Sequence, residues 1–198
     1  MTIKQKLLKA VYPAFMWVSS KVSKGDRVLS NDQTVAAPVS FYSLKDTLNN
    51  GNSFNFETLR GKKVLLVNTA SDCGYTAQYE SLEKLHKQYQ DQLVVIGFPS
   101  NDFKEQETGD DSAIAQFCKI NYGVSFQLMT KAVVTKSANQ NSIYKWLTDE
   151  KQNGWNSKAP SWNFCKYLVN EQGNLTHFFE SSVEPLGNEI KDALQFSK

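Results

Sequence analysis

Histidine and cysteine are both scarce in this chain: two and three, respectively, among 198 residues. His86 and His177 share no spacing with Cys73, Cys118 or Cys165 that a zinc site requires, so no metal is expected. Three cysteines are too few and too unevenly placed for a disulfide framework, and their odd number fits a reducing compartment or thiols used as reagents. Charge of one sign is also lacking. With 22 basic against 20 acidic residues the net charge is +2, too weak a field to make nucleic acid a partner. No apolar stretch is long enough to span a bilayer, which takes about 20 residues.

The residues that are present suffice for one well-buried domain preceded by an extension. Residues 1–38 are expected to be the extension and 39–198 the domain. Ile3, Leu7, Leu8, Val11, Ala14, Phe15 and Val18 can form one apolar stripe, with Lys4, Lys6 and Lys9 nearby and Lys21, Lys24 and Arg27 following. Such a segment fits peripheral membrane contact through residues 3–18, or a helix packed on the domain. Lys9 and Pro13 interrupt its apolar core and no small-x-small site follows before Lys21, which argues against a signal peptide. A cytoplasmic location is therefore expected, with membrane association as a further possibility. Gly25 to Pro38 is polar and without period, as a linker would be.

From Ser40 the pattern alternates. Phe41–Leu44 and Ser53–Phe56 flank Asn49-Asn50-Gly51-Asn52, predicting a β-hairpin. Val64–Val67 and Leu93–Phe98 read as buried strands, and Phe164–Val169 and Leu175–Phe179 as strands around the Gln172-Gly173-Asn174 turn. Helices are predicted over Asp110–Tyr122 with Asp110 or Asp111 as cap, over Ser142–Thr148, and over Glu184–Phe196. Together these elements predict an α/β fold, a mixed central sheet flanked by helices.

Cys73 ends the first buried run, within Asn68-Thr69-Ala70-Ser71-Asp72-Cys73-Gly74-Tyr75-Thr76, and Tyr79, Leu82, Leu85 and Tyr89 then recur at helical spacing. This puts a thiol where helix N–H groups favour a thiolate. Free cysteine is only about 3% thiolate at neutral pH, and lowering its pKa to ~6 takes roughly 3 kcal/mol. A helix terminus supplies only about 0.3–1 kcal/mol, so other donors are needed. Two polar and aromatic segments offer them: Phe98 to Glu107, after a buried strand, and Ser161-Trp162-Asn163-Phe164, before another.

In order and approximate spacing, the hairpin, Gly61 to Ser71, Cys73-Gly74-Tyr75-Thr76, Phe98 to Gln106 and Trp162-Asn163-Phe164 resemble the glutathione peroxidase family. The resemblance runs from about Ser40 to the C-terminus and implies a thioredoxin-like fold. It also implies a thiol peroxidase that reduces hydrogen peroxide and organic or lipid hydroperoxides, with Cys73 as peroxidatic cysteine beside Gln106, Trp162 and Asn163. Neutral N–H donors can hold a thiolate and polarise an O–O bond, so neither a histidine base nor a bound cofactor is implied. The loop departs from the family pattern at Ser100, Asp102 and Thr108, which bears on its shape.

The oxidised cysteine would be a sulfenic acid, reduced by thioredoxin or glutathione. In thioredoxin-using relatives a resolving cysteine lies on the helix after the glutamine loop. Cys118 falls there with a register shift of about one residue, although it shares a helical face with Ile114 and Phe117, as a core thiol would. Cys165 is expected to pack. The short segment from Met129 to Trp162 resembles the monomeric subgroup, whose open sites take lipid hydroperoxides. Thr76 stands where dithiol oxidoreductases carry a second cysteine, and Ala70 where peroxiredoxins need threonine. A peroxide sensor relaying oxidation to a partner protein is the alternative reading.

Overall fold

The computed structural model describes residues 1–22, 27–32 and 34–195. Lys24, Gly25 and Asp26, part of the expected extension and linker, lie outside the described residues, as do Gln33 and Phe196.

The frame is set by two apolar strands. β4 (Lys63–Thr69) and β5 (Leu93–Pro99) pair in parallel, Lys63 opposite Leu93 through Thr69 opposite Pro99. All residues of β4 except Lys63 are buried, as expected of a strand covered on both faces. Successive side chains alternate between two cores. Leu65 and Val67 face one shared with α2 (Gln78–Gln88) and α3 (Asp111–Tyr122), whereas Val64 and Leu66 face one shared with α4 (Ser142–Leu147). The short helix α5 (Glu150–Asn153) follows, and α6 (Asn188–Leu194) closes the first core with Ile190 and Leu194.

The remaining strands complete a mixed sheet. β6 (Gln127–Leu128) lies parallel to β5, while β7 (Lys166–Val169) runs antiparallel to β4 and β8 (Leu175–Phe179) antiparallel to β7. β1 (Val28–Ser30) adds to the far edge, giving the order β1-β8-β7-β4-β5-β6. The expected linker thus contributes an edge strand, too short to leave a period in the sequence. β2 (Lys45–Thr47) and β3 (Ser53–Asn55) form the N-terminal hairpin.

Three predicted boundaries shift, each for a local reason. Phe41–Ser43 is a 3₁₀ turn rather than a strand, because a strand would send the buried Phe41 and Tyr42 to opposite faces. Phe164 has a φ of +67°, which breaks the extended backbone, so β7 starts at Lys166 and Cys165 precedes it. The C-terminal helix begins at Asn188, not Glu184, since Pro185 disfavours helical backbone at the residue before it. By contrast α3 follows its sequence signals closely. Asp110 accepts the Ala113 N–H at 2.8 Å, and Gly123, at φ +65°, closes the C-terminus.

The first helix of the extension packs against the domain. α1 (Ile3–Val22) runs across the face that carries Cys73. Lys4 pairs with Asp72 at 2.5 Å, Gln5 Nε2 donates to the Ser71 carbonyl at 3.1 Å, and the Tyr12 hydroxyl donates to Glu184 at 2.5 Å. Among the described residues, no helix is long and apolar enough to cross a membrane.

Candidate active site

Sheet topology brings the site together. In the parallel pair β4 and β5, both C-terminal ends open on the same side, so the turn carrying Cys73 and the loop 100–107 emerge as neighbours. Because β7 runs antiparallel to β4, the segment that enters it, Trp162 to Cys165, starts from that same end. Asn68 joins the pieces: its Nδ2 donates to the Trp162 carbonyl at 2.9 Å, and its own carbonyl accepts the Phe164 N–H at 2.6 Å. Phe164 is held in the left-handed region between these bonds, with its ring edge-to-face on Tyr79.

Cys73 is fully buried. The Tyr75 N–H reaches its Sγ at 3.4 Å, and the side chains of Trp162 and Asn163 lie near enough to favour its thiolate. Asn163 Nδ2 in turn donates to Gln106 Oε1 at 3.0 Å. The structure thus brings all four sequence-predicted residues into one cluster, with Gln106 joined to the sulfur through Asn163. The electrostatic expectation is corrected, however. Burial pushes the Cys73 thiol above its ordinary value, and the three donors offset only part of that. Nor does a helix terminus supply the donor, since α2 starts only at Gln78. Thr76 Oγ1 accepts the Cys73 N–H at 2.9 Å and lies 2.8 Å from the Cys73 carbonyl, which holds residues 73–76 in a turn.

The loop bearing Gln106 is clamped from both sides. Lys104 and Glu105 both have positive φ, near +53° and +52°, and turn the chain back toward the sheet. Asp72 N–H donates to the Gln106 carbonyl at 3.0 Å, Ser71 Oγ to the Glu107 carboxylate at 2.9 Å, and Glu107 N–H to Asn101 Oδ1 at 2.9 Å. Glu107 is buried, and that burial raises its pKa to about 7. The departures from the family pattern have structural uses. Asp102 Oδ2 accepts from Val134 N–H, Thr135 N–H and Thr135 Oγ1 at 2.8–2.9 Å, tying the loop to the neighbouring segment, and Ser100 Oγ accepts the Asp102 N–H at 3.3 Å. Sequence reasoning missed Asn68, Thr76 and Glu107. A polar residue closing a buried strand was the signal available for Asn68.

The two remaining thiols are buried and free. Cys118 sits mid-way along the unbroken α3, in the same apolar core as Cys73, and burial raises it to about 12. Cys165 Sγ lies 3.4 Å from Ser181 Oγ and within 3.7 Å of Glu180, packed in the second core with Val64 and Leu66.

A mixed sheet with a thiol at its first parallel strand end defines a thioredoxin-like protein, and solved structures agree. The chain aligns with the apo crystal structure of Trgpx at a TM-score of 0.60 and 32% identity, covering 79% of this chain and 93% of that one. The family profile described as glutathione peroxidase matches residues 41–148. Glutathione peroxidase-like peroxiredoxin 2 of Saccharomyces cerevisiae is 45% identical over 78% of this chain and 97% of its own length. The peroxiredoxin gpx1 of Schizosaccharomyces pombe, also glutathione peroxidase-like, is 43% identical over 78% and 98%. The chain belongs to the glutathione peroxidase family, and it is a thiol peroxidase.

Proposed function

We propose that Cys73 is the peroxidatic nucleophile, working with Trp162, Asn163 and Gln106. The observation that carries this reading is the convergence of the Tyr75 N–H, Trp162 and Asn163 on one buried sulfur, with Gln106 holding Asn163. The thiolate attacks one oxygen of a hydroperoxide, a sulfur–oxygen bond forms as the O–O bond breaks, and the leaving alkoxide takes a proton to become an alcohol, or water from hydrogen peroxide. The indole and amide N–H groups stabilise negative charge on sulfur before attack and on oxygen during it. The product is the Cys73 sulfenic acid.

Cys118 is proposed as the resolving thiol. Its sulfur displaces hydroxide from the sulfenic acid, releasing water and leaving a disulfide that thioredoxin reduces with two electrons. A disulfide needs Cα atoms within about 7 Å, and Cys118 is packed inside a continuous helix, so α3 must unwind locally for this step. The cycle draws its electrons from thiols and needs no bound cofactor. The proposal extends to a monomer acting in the cytoplasm on hydrogen peroxide and organic or lipid hydroperoxides, with membrane contact through residues 3–18.

Peroxide turnover with thioredoxin and with glutathione, in wild type and Cys118→Ser, tests the relay. Thioredoxin-supported turnover falls at least tenfold in the variant if Cys118 resolves. Equal rates would assign regeneration to an external thiol acting directly on Cys73. Cys165→Ser retains wild-type turnover on this account.

A further inference from the structure

α1 is fastened to two parts of the domain that must move against each other if Cys118 is to reach Cys73. One set of contacts is with the turn carrying Cys73. Gln5 Nε2 donates to the Ser71 carbonyl and Lys4 pairs with Asp72, while the Phe15 ring packs edge-to-face on Tyr75 at 4.8 Å, 3.5 Å from where a Cβ on Gly74 would sit. A second set reaches the last turn of α3. The Met1 amino group donates to Asn121 Oδ1 at 3.3 Å, and Lys9, paired with Glu80 at 3.4 Å, lies 4.8 Å from the centre of the Tyr122 ring. The helix therefore bridges the segment bearing one sulfur and the helix bearing the other.

That last turn of α3 depends on Cys118 staying in place. The Cys118 carbonyl accepts the Val124 N–H at 3.3 Å, and the Phe117 carbonyl accepts Asn121 Nδ2 at 2.8 Å. Bringing Cys118 to Cys73, where thiol and sulfenic acid give a disulfide and water, breaks these bonds and takes Asn121 and Tyr122 away from Met1 and Lys9. Fewer contacts then hold α1, and the Lys4–Asp72 pair among them is exposed and weak. Once free, α1 has no packing to sustain its helix, which Pro13 already weakens. While docked, it leaves a cleft of about 530 Å³ beside Gln106, a way in for a small peroxide. It also covers Gly74 and Tyr75, against which a protein reductant must rest to reach Cys73.

We propose that α1 is a redox-released clasp: it fastens the Cys73 turn to α3 in the reduced protein, and formation of the Cys73–Cys118 disulfide frees it and uncovers the turn for a protein reductant. The inference rests on Cys118 as the resolving thiol.

Hydrogen exchange of the full chain, read by mass spectrometry, follows α1 directly, and intact mass reports the state of the sulfurs. In the wild type, one equivalent of hydrogen peroxide is expected to remove two hydrogens and to speed exchange over residues 3–16 by about tenfold or more, with β4 and β5 unchanged. In Cys118→Ser, oxidation adds one oxygen and leaves α1 protected. Because coupling is reciprocal, a looser α1 must favour the disulfide at equilibrium. Lys9→Glu/Phe15→Ala sets like charge against Glu80 and removes both ring contacts. It is expected to exchange fast over residues 3–16 already when reduced, and to hold about fivefold more disulfide relative to dithiol in a dithiothreitol redox buffer. Lys9→Arg, which keeps the ion pair and the cation over Tyr122, is expected to match wild type. A disulfide formed without release of α1, release in oxidised Cys118→Ser, a protected α1 in the double variant, or an unchanged disulfide equilibrium there would each overturn the clasp. Faster exchange spread over β4 and β5 as well would show general loosening and also overturn it. A wild type that gains oxygen and never loses two hydrogens would count against Cys118 as the resolver, and the clasp would fall with it.

Discussion

At the scale of single residues, the site is a balance between burial and hydrogen bonding at one sulfur. Burial raises the Cys73 thiol above its ordinary value, so thiolate is a minor species at neutral pH and the donors decide how minor. The rate of peroxide attack is therefore expected to climb as pH rises and to be still climbing at pH 9, as stopped-flow measurement of peroxide loss would record. A plateau below pH 7 would contradict this. A hydrogen bond to a charged acceptor is worth about 1.5–3 kcal/mol, so Trp162→Phe, which removes the indole N–H and keeps a ring, is expected to slow attack by about 10- to 100-fold.

Glu107 gives a stability prediction with a definite sign. Its folded pKa is raised from 4.5 to about 7, so the folded chain holds a proton that the unfolded chain releases. Stability should then fall as pH rises from 4.5 to about 7, by at most about 3 kcal/mol. Glu107→Gln, which can still accept from Ser71, is expected to remove that slope, giving a higher Tm than wild type at pH 8 and a similar one at pH 4.5. The four residues that cluster at the sulfur were legible in the sequence because their types suit the proposed chemistry. Asn68, Thr76 and Glu107 were not, because they act on the backbone and loops around the sulfur, and that geometry exists only after β4, β5 and β7 have paired.

At the scale of elements, legibility followed how much of each signal was local. α3, with an aspartate cap and a left-handed glycine, was readable to within a residue of each end. β1 could not be read, since its three residues gain their structure only from pairing with β8. The second strand of the hairpin was placed correctly but the first lies further along the chain, because the aromatic residues Phe41 and Tyr42, which look like strand formers, are buried in the second core. The loop after β5 departs from the family pattern and compensates through Asp102, which takes three hydrogen bonds from Val134 and Thr135. Asp102→Ala leaves those donors without their acceptor, and a loss of about 2 kcal/mol in urea unfolding is expected. A loss below ~0.5 kcal/mol would mean that water replaces the carboxylate at no net cost.

At the scale of the whole molecule, the chemistry is placed where two parallel strands end and an antiparallel one begins, so that three segments distant in sequence supply one sulfur with its donors. The fold class was legible from alternating strands and helices. The site was legible from four ordered motifs. The docking of α1 beside that site was not, because its stripe reads equally well as a packed or an open face until its partners are known. What this architecture must do is present one particular sulfur for oxidation. The direct measurement is the intact mass of the reduced Cys118→Ser/Cys165→Ser protein, in which Cys73 is the sole thiol, after one equivalent of hydroperoxide. The account predicts the gain of one oxygen there and the loss of two hydrogens in wild type. An unchanged mass in both would contradict it.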